Sequence, residues 1–235
     1  MEIKMALSDE IKQEHKKVKD MTFKGKIKYF WDYYKIHTIV GILVIIGLAV
    51  FIRDYVKNNR PMYLDAIMIN TILDYNSPTN IVDDFAEYAN VDRDAYNLSI
   101  ETGASISMEF NDEVSMATAQ KIMALFQAKS IDLLIGPEEI IDYYASSDPY
   151  SNIHNFLTDE QIKTLTDNGY EIYYGVGEGV VTPAGFYIGS SEYLKNKSEF
   201  GTFMEDANPV FAFAFCNANP EHSVELLSMF TGLEL

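Results

Sequence analysis

Cysteine is nearly absent from this chain, since Cys216 is the single cysteine among 235 residues. One cysteine excludes an intramolecular disulfide, and it removes the cysteine pairs that structural zinc sites use. Cys216 ends the apolar run FAFAFC, where we expect a buried and unreactive thiol. The fold must therefore be stabilised by a hydrophobic core, for which the chain is long enough.

Catalytic motifs are also missing from the sequence. It contains no HExxH zinc motif, no G-x-S-x-G nucleophile elbow and no P-loop. Acidic pairs such as Glu138 and Glu139 are adjacent in sequence, and adjacent residues on a helix do not face one another as an acid–base couple would. For His154 and His222 we expect surface or capping roles. We therefore predict a protein that is not an enzyme, with no catalytic residue, no metal ligand and no cofactor.

Two segments match binding motifs only in part. Asn90–Glu101 places acidic or amide side chains at positions one, three, five and twelve of a calcium loop, but Ala95 stands where the sharp turn needs glycine. A solvated, Asp-rich turn is the favoured interpretation. The segment GVGEG, at Gly175–Gly179, lacks the G-x-G-x-x-G spacing of a dinucleotide loop, so we predict a β-turn or bulge there.

Basic residues are scarce after residue 60. Residues 61–235 contain six Lys and Arg against twenty-eight Asp and Glu, whereas residues 1–35 contain nine Lys against six acidic residues. Because a phosphate backbone requires a positive surface, nucleic acid is not an expected partner of the acidic part. The change of charge along the chain instead indicates two compartments.

Charged residues are absent from the seventeen-residue run Ile36–Ile52, which separates the basic part from the acidic part. Its length is near the minimum for a transmembrane helix, and the aromatic residues just before it are typical of the headgroup level. A buried core helix and a cleaved signal peptide are the alternatives, but the following segment RDYVKNNR has no small-x-small cleavage site. We predict a single-pass signal-anchor in the cell membrane that contacts the lipid bilayer through Ile36–Ile52. The predicted organisation is a cytoplasmic segment 1–35, a transmembrane helix 36–52, a linker 53–61 and an extracytoplasmic domain 62–235.

Strand-like runs alternate with amphipathic helical segments throughout residues 62–235. The predicted strands are Met62–Asn70, Tyr96–Ile100, Ile131–Ile135, Glu171–Tyr174, Gly185–Ile188 and Val210–Cys216. Asp112 and the pair Thr158 and Gln161 are predicted helix caps, and Asn219 opens the last helix. Val210–Cys216 is apolar at every position, which predicts a central strand covered on both faces. The alternation predicts an α/β layered domain with a parallel or mixed sheet.

Two segments of the domain resemble type II extracytoplasmic solute-binding proteins, also known as periplasmic binding proteins. These segments are IDLLIGPEEIIDYYASSDPYSNIHNFL and NPVFAFAFCNANPEHSVELLSMF. The anchor YFWDYYKIHTIVGILVIIGLAVFI joined to such a domain looks like a group of uncharacterised single-pass membrane proteins of Gram-positive bacteria. The domain is about half the usual length and has no lipobox cysteine, so the resemblance implies a reduced fold. It also implies ligand capture or sensing at the cell surface without catalysis.

Loops that follow predicted strands give a candidate ligand site. Ligands of open α/β sheets bind beyond the carboxyl ends of the strands. The acidic charge favours a small neutral or cationic ligand, or a peptide, over an anion. The predicted ligand-binding residues are Tyr75, Ser77, Gly136, Glu138, Tyr143 and Asn217. The same turns are also compatible with capped helix starts that bind nothing.

Two other functions remain open at the level of the sequence. In the first alternative, the domain is an interaction module or accessory subunit that docks a partner membrane protein and has no small-molecule ligand. The sixteen Tyr and fourteen Phe would supply the sticky face that such docking needs. An unrecognised cell-surface hydrolase with a scattered site is the third hypothesis.

Overall fold

The chain divides into two compact units, residues 1–59 and Arg60–Leu235. The structure is a computed structural model that describes residues 22–71, 80–147, 150–177, 179–197, 200, 203, 208–215 and 217–235. Three predictions lie outside the described residues: the ligand-binding roles of Tyr75 and Ser77, and the buried thiol of Cys216.

In the described part of the first unit, residues Phe23 to Asn58 form a long helix, α1. Its stretch Tyr34–Asn58 is long and apolar enough to cross a membrane, and none of its apolar window is buried inside the protein. At about 1.5 Å per residue, these 25 residues span roughly 37 Å, more than the roughly 30 Å of a bilayer core. The helix continues through residues 53–58, which we had assigned to the linker, because no proline interrupts it before Pro61.

The second unit is an α/β domain built on one sheet of six strands. The strands are β1 (Met62–Ile69), β2 (Asn97–Ala104), β3 (Leu133–Pro137), β4 (Ile172–Gly177), β5 (Val180–Tyr187) and β6 (Pro209–Phe213). The helices that the structure describes over their whole length are α2 (Ile81–Tyr88), α3 (Glu113–Ala128), α4 (Glu138–Ala145), α5 (Asp159–Asp167), α6 (Glu192–Lys195) and α7 (Pro220–Thr231), with a 3-10 turn at Ile153–Asn155. The predicted α/β class is confirmed.

The sheet is mixed, and its strand order is β2-β1-β3-β6-β5-β4. The strands β1, β2 and β3 are parallel, and β6 is inserted antiparallel between β3 and β5. A tight turn at Gly179, where φ is 81°, joins β4 to β5 as an antiparallel hairpin. The predicted turn in the GVGEG segment is therefore confirmed as a hairpin connection.

Helices cover both faces of the sheet and divide the core in two. On one face the strands pack against α2, α5, α6 and α7, and on the other against α3 and α4. All five residues of β6 are buried, with Phe211 and Phe213 on the first face and Val210 and Ala212 on the second. This confirms the predicted central strand over Val210–Phe213. The predicted extension towards Cys216 was wrong, because the strand ends at Phe213 and Phe215 is 67% exposed. Gly185 of β5 allows the close approach of β6, since a Cβ atom there would lie 1.9 Å from the carbonyl oxygen of Phe211.

Local capping signals in the sequence locate several helix starts. Asp112 accepts a hydrogen bond from the Ser115 backbone at the start of α3. Thr158 and Gln161 form the predicted capping box of α5. Each cap satisfies backbone N–H groups that the first helical turn leaves without partners, so the boundary is determined locally.

Candidate functional site

The carboxyl ends of β1 and β3 meet at one edge of the sheet, as we predicted for two of the ligand loops. Met68 pairs with Ile135 in parallel register, so Asn70, which follows β1, and Gly136, which lies near the end of β3, are at the same edge. Gly136 fits there because a Cβ atom would lie 3.3 Å from the Cβ of Ile69. The rest of the first loop, residues 72–79, lies outside the described residues.

The Asn70 side chain is used by the fold itself. Its amide nitrogen donates to the carbonyl of Ile106 at 2.8 Å, and its amide oxygen accepts from the Ile106 backbone at 2.9 Å. The two bonds hold a residue in the left-handed conformation, with φ of 55°, at the point where β1 ends. Both polar atoms of this side chain are therefore occupied by the protein.

Glu138 begins α4 and is likewise bonded within the domain. One carboxylate oxygen accepts from the Tyr187 hydroxyl at 2.5 Å, and the other accepts from the Asn208 amide at 2.8 Å. Asp142 lies one turn further along α4 and accepts from the Tyr173 hydroxyl at 2.6 Å. Burial raises the pKa of both tyrosines well above the ordinary range, and the hydrogen bond from each hydroxyl to its carboxylate is the second cause. The two pairs fasten α4 to β4 and β5, which is a structural role for the Glu138 side chain.

Tyr143 does not share a groove with Glu138. Five residues along a helix correspond to about 140° of rotation, so the two side chains leave α4 on different sides. Tyr143 is 45% exposed, and its ring packs against Phe110 with centroids 5.1 Å apart. The inner neighbour Tyr144 is buried, and its hydroxyl has no hydrogen-bond partner among the described residues.

Asn217 lies at the opposite edge of the sheet, so its placement in the same ligand site was wrong. The strand that precedes it, β6, runs antiparallel to β3, with Leu133 opposite Phe213 and Pro137 opposite Pro209. The rule that ligands bind beyond the carboxyl ends of strands would bring Asn217 to the other loops only if β6 were parallel to β3, and its antiparallel direction reverses the edge at which it ends. Asn217 instead donates to the Ser223 hydroxyl at 2.8 Å and accepts from the Asn219 backbone, at the start of α7.

Buried polar contacts at this opposite edge connect α7 to the parallel strands. Asp132 is 4% exposed, and one of its oxygens accepts from the Ala218 backbone at 2.9 Å. The other oxygen accepts from the Asp65 backbone at 2.9 Å and from the Asn219 amide at 3.3 Å. His222 also takes part here, because its Nδ1 lies 2.7 Å from the carbonyl oxygen of Tyr63 and its ring stacks on the Tyr63 ring. These groups serve the fold.

In the part of the chain that the structure describes, no group of three or more His, Cys, Asp or Glu side chains could hold a metal ion. In the partial calcium loop, Asp92 accepts from the backbone of Asp94, and Glu101 is paired with Lys121 of α3. The Asp-rich turn that we favoured is thus the observed arrangement.

An open depression of about 440 Å³ lies along the segment from His154 to Asp159. The His154 ring lies 3.3 Å from the Asp159 carboxylate, and both side chains are more than half exposed. Its polar groups belong to the 3-10 turn at Ile153–Asn155 and to the capped start of α5. The depression therefore supports no defined binding chemistry.

An exposed apolar surface on the β4–β5 hairpin was missed by the sequence analysis. Tyr174, Val176 and Val181 are 53%, 56% and 61% exposed. Val176 pairs with Val181 across the hairpin, so their side chains lie on the same face. The run YYGVG contains no polar residue facing out, which is the signal that could have revealed this surface.

Comparisons with known proteins give no relative for this chain. No protein-family description, no curated protein and no solved structure matches it.

Proposed function

We propose that this chain is a membrane-anchored interaction protein without catalytic activity, whose acidic α/β domain docks a partner protein outside the cytoplasm. The helix Tyr34–Asn58 serves as the anchor. Nine lysines before the apolar run support a cytoplasmic N-terminus under the positive-inside tendency.

The docking proposal rests on a contrast between the polar residues of the predicted ligand site and the apolar residues of the β4–β5 hairpin. The polar side chains at the predicted ligand edge, Asn70 and Glu138, have their hydrogen-bonding atoms occupied by the protein. The apolar side chains of the β4–β5 hairpin are directed to solvent. Exposed apolar residues grouped on one face are typical of a protein–protein contact.

Two experiments test the proposal in membranes of cells that produce the full chain. Protease added to intact cells should remove the C-terminal domain and leave an N-terminal tag protected; a protected C-terminal domain would reverse the topology. Cross-linking should convert the chain into a species larger by one constant mass. A chain ended after Asn59 is the control and should give no such species. If cross-linking of the full chain gives no larger species either, the docking proposal is rejected.

A second candidate function is ligand capture by a solute-binding type of domain. Its support is the shared edge of Asn70 and Gly136, together with the resemblance described above, in which the single sheet would correspond to part of a reduced fold. Thermal-shift screening against sugars, amino acids, peptides and cations tests it, because a ligand that binds the native state raises the melting temperature. For a ligand held by Glu138, Glu138→Gln should weaken binding tenfold while barely changing that temperature. If Glu138→Gln lowers the melting temperature and leaves ligand binding unchanged, Glu138 has only a structural role.

A further inference from the structure

The strand β4 is the outermost strand of the sheet, with β5 as its neighbour, and it presents an apolar outer surface. Its residues alternate, with Tyr173, Gly175 and Gly177 buried and Tyr174 and Val176 exposed. Half-buried strands of antiparallel pairs usually place polar side chains on the solvent side. Here the solvent side carries an aromatic and a β-branched apolar residue, and both belong to the strand at the end of the sheet.

The free side of β4 has few of the features that protect edge strands. In the described part of the chain, β4 pairs with β5 alone. Natural edges are commonly protected by lysine, proline or inward-pointing charges, and β4 contains none of these in its sequence IYYGVG. One register shift lies between Tyr173 and Tyr174. The remaining residues form an uncharged edge that can pair with another extended segment.

The sequence around β4 is acidic and has no basic residue. Residues 164–194 contain no Lys or Arg, whereas Glu171 precedes β4 and Glu178 follows it. Pairing of two copies through β4 would bring together two domains whose residues 61–235 each contain twenty-eight acidic and only six basic residues, so a second copy is disfavoured. Anionic lipid headgroups are disfavoured by the same charges. The complementary occupant is an extended segment with basic residues on both sides of an apolar centre.

We propose that β4 is a docking edge at which an extended, basic-flanked segment of a partner protein adds as a further strand. Main-chain hydrogen bonds to β4 would hold the segment, and its alternate apolar side chains would pack on Tyr174 and Val176. Lysine or arginine at its two ends would complement the acidic residues that flank β4 in the sequence. The inference rests on the proposed interaction function and identifies the site and the chemistry of the partner.

The test uses the full chain in nanodiscs of neutral phosphatidylcholine and a labelled peptide, Lys-Lys-Val-Thr-Val-Thr-Val-Lys-Lys. Binding is measured by fluorescence anisotropy, and amide hydrogen exchange is measured over Ile172–Gly177. The basic peptide should bind and slow exchange in β4. Its counterpart with Glu in place of Lys should bind at least about tenfold more weakly, since the charges would then repel.

Two variants separate the β4 edge from general stickiness. Val176→Thr keeps a β-branched side chain in the strand and removes the apolar contact, so it should weaken the basic peptide about tenfold with an unchanged melting temperature. Met116→Thr is the matched control, because Met116 is also half exposed but lies on α3, and it should leave binding unchanged. Equal binding of both peptides, equal binding by Val176→Thr, or self-association of the chain that Val176→Thr abolishes would each overturn the proposal.

The cross-linked complex distinguishes failure of this inference from failure of the proposed function. If the wild-type chain and the Val176→Thr variant form that complex equally, β4 is not the docking edge although the interaction function stands. If the wild-type chain forms no complex, the interaction function itself fails.

Discussion

Replacement of Asp132 by alanine should destabilise the domain more than any loss of an exposed acidic side chain. This carboxylate is buried and accepts hydrogen bonds from the Asp65 backbone, the Ala218 backbone and the Asn219 side chain. Alanine leaves all three donors without this acceptor. The link between the start of α7 and the strands β1 and β3 would be lost with them.

The contacts set the magnitude of the effect. A hydrogen bond to a charged group contributes about 1.5–3 kcal/mol, and leaving a buried donor without a partner costs about 1–3 kcal/mol. Ala218 is exposed and Asp65 is half-buried, so water can replace part of the lost bonding. We therefore expect Asp132→Ala to lower the free energy of unfolding by about 2–4 kcal/mol. Asp132→Asn retains one acceptor oxygen and should have an intermediate effect.

Urea unfolding of the full chain in mild detergent measures this change. Trp31, the single tryptophan, lies in α1, whereas twelve of the sixteen tyrosines follow residue 60, so near-UV circular dichroism of the tyrosines reports mainly on the domain. Asp94→Ala is the control, since the Asp94 side chain is fully exposed and its removal should change the free energy of unfolding by about 0.5 kcal/mol or less. If Asp132→Ala and Asp94→Ala have the same effect, the argument that Asp132 joins α7 to the sheet is refuted.

Three further substitutions test the core and the two acidic groups with opposite pKa shifts. Phe213→Ala should lower the free energy of unfolding by about 3–5 kcal/mol, because Phe213 is fully buried and its ring stacks on Phe156 at 4.7 Å; a loss below about 1 kcal/mol in urea unfolding would contradict that packing. Burial raises the pKa of Asp65 above its usual 3.8, so its favourable contribution is present below that value and is lost as the pH rises through the folded pKa. Asp65→Asn should therefore be more stable than the wild type at pH 7, with the gain disappearing on acidification in thermal melts. The hydrogen bond from Lys197 holds the pKa of Asp84 below its usual 3.8, so its contribution is present above that value and is lost as the pH falls through the folded pKa. Asp84→Asn should consequently be less stable than the wild type at pH 7 and equal to it in strong acid, and the opposite trend in either series would show that the shift has the wrong sign.

Short-range signals in the sequence predicted much of the domain's secondary structure. The apolar run Val210–Cys216 indicated a strand buried on both faces, and the strand β6 is buried up to its last residue, Phe213, although Phe215 beyond it is exposed. The cap at Asp112 and the capping box at Thr158 predicted where α3 and α5 begin. These features could be predicted because a cap or a periodic apolar face acts over a few neighbouring residues.

The candidate site could be predicted only in part. Asn70 and Gly136 do lie at one edge, because β1 and β3 are parallel neighbours and therefore end on the same side. The direction of β6 could not be deduced, since an apolar strand has the same pattern in either direction. That one reversal moved Asn217 to the other edge. The pairing of Glu138 with Tyr187 and Asn208, distant in sequence, was equally invisible beforehand.

The sequence by itself determined the division of this protein into an apolar helix and an acidic α/β domain, because charge and hydropathy are summed along the chain and need no partner residues. Only the tertiary structure decided which polar groups are available for binding. Hydrogen bonds between distant residues occupy Asn70 and Glu138, whereas the position of β4 at the end of the sheet leaves Tyr174 and Val176 exposed. A side chain's availability depends on what packs against it, and strand order and direction set those neighbours.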